Sequence, residues 1–175
     1  MLDNLLGDLV KQYAGNAVVN NPAVPNEQNE SAIGSITDGI LNGLKQHAAG
    51  GGLSSIVGML TNSGQVDATT SQNVQGSVVD SLMSKLGIGQ GAASGIAASI
   101  VPSILGALSK NSADKSNTAF DPSSILSSLT GGKTNGMDIG SLLDKGLGDG
   151  DGKFGMGDIT SALGKLGNLF GGNKG

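Results

Sequence analysis

The densest run of oxygen donors in this 175-residue chain is Leu147-Gly148-Asp149-Gly150-Asp151-Gly152-Lys153-Phe154-Gly155-Met156-Gly157-Asp158. Calcium takes about six to eight hard oxygens, and alternate acids on a turning loop supply them. Laid on an EF-hand loop, Asp149 and Asp151 fall at the third and fifth positions, Gly152 at the turn, and the Lys153 carbonyl at the seventh. Phe154 fills the apolar eighth position and Asp158 the last. Two departures weaken the site. Leu147 stands where the first ligand belongs, and Asp158 is shorter than the bidentate Glu of a full loop. The spacing therefore predicts a weak, degenerate Ca2+ site, with Asp144 as a candidate extra ligand. The competing reading is an empty Asp-Gly turn in which Asp158 caps the helix that follows.

Other chemistry is sparse. The chain has no Cys, which removes thiol nucleophiles, thiolate metal sites and disulfides. His47 is the single histidine and has no serine motif around it, so it reads as a solvated helix-end residue and no catalytic residue is predicted. Gly87-Ile88-Gly89-Gln90-Gly91 imitates a dinucleotide loop, but no strand precedes it and no acidic ribose partner follows. All ten basic residues are Lys, and the formal net charge is −4, which argues against a nucleic-acid binder. The acidic start Met1-Leu2-Asp3-Asn4-Leu5-Leu6-Gly7-Asp8 is unlike a secretory signal, so the expected location is cytoplasmic, with other export routes left open.

Helical periodicity organises the first 110 positions, and no two-residue alternation long enough for a sheet appears. Leu2, Leu5, Leu6, Leu9, Val10 and Tyr13 mark a first amphipathic helix, ended by the Asn20 to Asn26 stretch with its two prolines. A second helix is expected from about Glu27 to Ala48, with Ile33, Ile36, Ile40, Leu41 and Leu44 inward and Gly50-Gly51-Gly52 as its stop. A short helix over Leu53 to Leu60 precedes a polar loop, and another runs from about Ser71 to Leu86 through Val74, Val78, Val79, Leu82 and Met83.

The helix expected from about Gln90 to Ser109 is made largely of small residues. It lies in a run of 24 uncharged residues between Lys85 and Lys110, too rich in Gly, Ser and Gln to read first as a membrane span. Gly91, Gly95, Ala98 and Pro102 share one face of it. Such a stripe lets a neighbouring helix approach to backbone contact, and Pro102 is expected to bend the helix. The stripe is either covered inside the bundle or serves as an interface with a second copy or a partner.

After a polar linker, 111–119, one unit recurs. Phe120-Asp121-Pro122-Ser123-Ser124-Ile125-Leu126 is echoed by Met137-Asp138-Ile139-Gly140-Ser141-Leu142-Leu143 and more loosely by Gly157-Asp158-Ile159-Thr160-Ser161-Ala162-Leu163. Each places an Asp where it can cap a short apolar helix.

The middle of the chain, Gly51 to Leu108, carries a further pattern. Gly51-Gly52-Leu53 opens it, Leu86-Gly87-Ile88 forms its joint, and Pro102-Ser103-Ile104-Leu105 with Ala107-Leu108 closes it. In that order these tokens resemble the bacterial YidB-like group, also called the domain of unknown function 937. The resemblance implies a small helical bacterial protein and no established reaction. The expected architecture is all-α: a compact bundle of amphipathic and small-residue helices over 1–110, then a Gly-rich tail of short Asp-capped helices over 120–175. The expected role is non-enzymatic, a structural or interaction protein that self-associates or takes a protein partner. A calcium-responsive module and a membrane-associated protein are the alternatives.

Overall fold

In a computed structural model of the protein, residues 2–62 and 65–132 are described. Six α-helices and no strand occur among them, which is the all-α bundle expected. Helix α1 is Leu2–Ala14, and Leu2, Leu6, Leu9, Val10 and Ala14 form its buried stripe. Leu5 is only half-buried, and Tyr13, also expected inward, is exposed because it falls on the far side of that stripe. A π-helical turn, Gly15–Val19, extends α1 and buries Val18. Between the prolines, Asn21 donates from Nδ2 to the Ala17 carbonyl and accepts the Ala23 N–H, so the turn carries Val24 back into the core.

Helix α2, Asn29–Ala49, is the centre of the bundle and packs against α1 and the four helices still to be placed except α5. Its closest partner is α4, Ala68–Leu86, which lays Val74, Val78 and Leu82 along it at four-residue steps. The approach is set by two glycines. A Cβ on Gly39 would lie 2.6 Å from the Val78 Cα, and one on Gly43 would lie 2.8 Å from the Val74 Cα. Backbone therefore rests on backbone, and any side chain there would wedge the helices apart. Ile36, Ile40 and Leu44 are fully buried as expected, whereas Ile33 only flanks the core. On α4 the expected inward residues Val79 and Met83 are half-buried and exposed, since the helix meets α2 through a single row. Asp67 starts α4 three residues earlier than expected. Gly87 ends it at φ +67°, donating its N–H to the Met83 carbonyl, and Ile88 packs back on the core.

Helix α3, Leu53–Thr61, and helix α5, Gln90–Ala113, complete the inner layer. α5 buries Ile96, Ile100, Val101, Ile104, Leu105 and Leu108 against α1, α3 and α4. It continues through Pro102 rather than ending there. Pro102 and Ala98, whose carbonyl loses its partner, are both on the wet side where water can serve that oxygen. Two serines join the ends of α5 and α3: Ser109 Oγ donates to the Met59 carbonyl at 2.6 Å and Ser112 Oγ to the Leu60 carbonyl at 3.0 Å. Helix α6, Pro122–Leu129, is capped by Asp121, whose Oδ2 accepts the Ser124 N–H at 2.8 Å. Ile125, Leu126 and Leu129 join the same core, so the first of the three capped units packs with the bundle.

Candidate functional site

Helix α5 has one dry side and one bare side. The side turned away from the core is built from Gly91, Ser94, Gly95, Ala98, Ser99, Pro102 and Ser103, every one of them exposed. A Cβ placed on Gly91 or Gly95 would meet nothing within 4 Å. The sequence-predicted interface of Gly91, Gly95, Ala98 and Pro102 is thus brought onto one continuous face, and no described residue covers it. Covering within the bundle, one of the two readings of the stripe, does not occur among the described residues. No charged residue lies on α5 before Lys110, so the face is apolar backbone and methyl groups edged by hydroxyls.

A second cluster was not legible in advance. His47, near the end of α2, is half-buried and bonded through both ring nitrogens, where the sequence suggested a solvated residue. Asn73 Nδ2 donates to its Nδ1 at 2.9 Å, which assigns the ring proton to Nε2. Nε2 then donates to Thr70 Oγ1 at 2.9 Å, and that hydroxyl donates to Asp67 Oδ2. Asp67 Oδ1 also accepts the Thr70 N–H at 2.9 Å, making Asp67 the N-cap of α4. Partial burial acts to raise the Asp67 pKa. The Thr70 hydroxyl and N–H, the His47 charge and the Thr69 N–H outweigh it and hold the carboxyl below its ordinary value. The group contains an acid, an imidazole and a hydroxyl, yet it is not wired for nucleophilic attack. The proton chain runs from His47 through Thr70 to Asp67, no base points at the hydroxyl, and Thr70 is fully buried. The ring lies over Gly52, where a Cβ would come within 2.2 Å of Nε2, so the cluster ties the α2 end, the α2–α3 turn and the α4 start together. One signal was available: Asp67-Ala68-Thr69-Thr70 before an apolar-periodic run reads as a helix start.

Asp149, Asp151, Lys153 and Asp158 of the predicted Ca2+ loop, with Asp144 and the caps Asp138 and Asp158 of the later units, lie outside the described residues. Among the described residues no three His, Asp or Glu side chains gather in a metal-holding group. Comparison with protein-family models, curated proteins and solved structures finds no match to this chain.

Proposed function

We propose that the protein is a non-enzymatic interaction protein that assembles, with copies of itself or with a partner helix, through the open face of α5. The observation that carries the reading is a contrast within one molecule. Gly39 and Gly43 on α2 seat α4 at backbone contact, while Gly91 and Gly95 on α5 repeat that four-residue spacing with nothing against them. Glycine inside a helix costs about 0.8–1 kcal/mol relative to Ala. On α2 the close approach offsets that cost; on α5 an incoming helix would do the same. The resemblance of Gly51 to Leu108 to the YidB-like group agrees with a role without chemistry.

The test is size-exclusion chromatography with light scattering, run in calcium and then in chelator. The wild-type chain should associate as concentration rises, and Gly95→Leu should abolish association while far-ultraviolet circular dichroism stays helical. A wild-type chain that stays monomeric at every accessible concentration, with and without calcium, overturns the proposal. Association present only in calcium would favour the degenerate Asp149 to Asp158 loop as the controlling element. A second reading, membrane association, draws on α5 being long and apolar enough to cross a bilayer by length and composition, although half of its most apolar window is buried. Binding of the wild-type chain to phospholipid vesicles, lost in Gly95→Leu, would favour it.

A further inference from the structure

A groove of about 390 Å³ opens between the start of α1, the 3-10 turn Thr118–Phe120 and α6. Leu2, Leu5, Ala119 and Ile125 form its apolar floor, and Asn4, Thr118, Ser124 and Ser128 form its polar edge. None of these residues is charged, so nothing in it selects an ionic ligand.

We infer that this groove is the docking site for the second capped unit of the same chain, Asp138 to Leu143, which lies outside the described residues. Three observations converge on that occupant. The first is the pattern shared with α6. There, Asp121 caps and the residues four and five positions on, Ile125 and Leu126, are buried. Counting equally from Asp138 reaches Leu142 and Leu143, so the second unit carries the same pair of apolar side chains after the same cap. The second is direction. Gly131 and Gly132 take φ +66° and +83° directly after α6, a left-handed pair that turns the chain off the helix axis and that side-chain-bearing residues rarely adopt. The third is reach. The six links from Gly132 to Asp138 span at most about 20 Å, and an eight-residue helix is about 12 Å long, so the unit can lie beside the α6 it follows. A short tether of this kind gives an effective concentration in the mM range, which a free partner would have to exceed.

The chain has no Cys, so introduced pairs report proximity without background. In the full-length protein, Ser128→Cys would be paired with Leu142→Cys. The control pairs Ser123→Cys with Leu142→Cys. Ser123 is exposed on the same helix and has a comparable tether, but does not line the groove. Under mild oxidation at low protein concentration, the Ser128 pair should form an intramolecular disulfide at least about tenfold faster than the control, the ratio a modest docking preference produces. Adding Leu143→Ser should erase the difference. Equal rates for the two pairs overturn the inference. So does a disulfide that forms only between molecules, which would give the groove to a second copy. Neither outcome depends on the face of α5, so failure here leaves the proposed assembly standing, and the reverse.

Discussion

Thr70 has one hydroxyl proton to give and lone pairs to receive with, and its position uses both, taking from His47 and giving to Asp67. The acid at the end of that chain makes the bundle pH-sensitive. Because the folded protein holds the Asp67 carboxyl below its ordinary pKa, the unfolded chain takes up that proton first as the solution is acidified. Stability from Asp67 is therefore fully present above the ordinary carboxylate pKa of about 3.9 and is lost as pH falls through the lower folded value. In Asp67→Asn the fall of the thermal midpoint below about pH 5 should be shallower than in wild type. At neutral pH the two should stay within about 1 kcal/mol, since Asn is also a good N-cap. Thermal unfolding followed by circular dichroism across the acid range checks both. The role of His47 was hidden in the sequence because its partners stand 23 and 26 residues away and its ring needs the space above Gly52.

At the level of the helices, glycine at one spacing has two opposite meanings, and a matched pair of substitutions separates them. Gly39→Ala would push a methyl into the α4 backbone, so it should destabilise by about 1–3 kcal/mol despite the better helix propensity of Ala. Gly95→Ala meets open space and should stabilise the dilute chain by about 0.5–1 kcal/mol. Urea unfolding of the two variants at low concentration should move the midpoint in opposite directions; movement in the same direction would refute the contrast. The helices themselves were legible, because the rows Leu2-Leu6-Leu9 and Ile36-Ile40-Leu44 are the buried rows. Which glycine pair is covered was not. That depends on where α4 comes to lie, and no local pattern in α2 or α5 records it. The interface stripe was thus correctly grouped onto one face, while the fact that it stays open needed the tertiary structure.

For the molecule as a whole, the core is aliphatic: Leu, Ile, Val and Ala with Met59, and the aromatic Phe120 only at its margin. Cohesion then comes from close approach and from a few buried hydroxyls, and the α3–α5 junction shows what this means for the order of folding. α3 has nine residues, too few to persist as an isolated helix in water. Its last carbonyls, those of Met59 and Leu60, are met by Ser109 and Ser112, which follow 50 and 52 residues later. During synthesis α3 therefore waits, its C-terminus open, until nearly the whole of α5 has emerged. The α2–α4 pair has no such dependence on later chain and is the natural nucleus. Ser109→Ala should therefore leave the refolding rate nearly unchanged and speed unfolding, by about fivefold if the lost bond is worth about 1 kcal/mol. Stopped-flow chevrons of the two proteins would show it as a shift confined to the unfolding limb. α3 is then the part of the bundle that arrives last and leaves first.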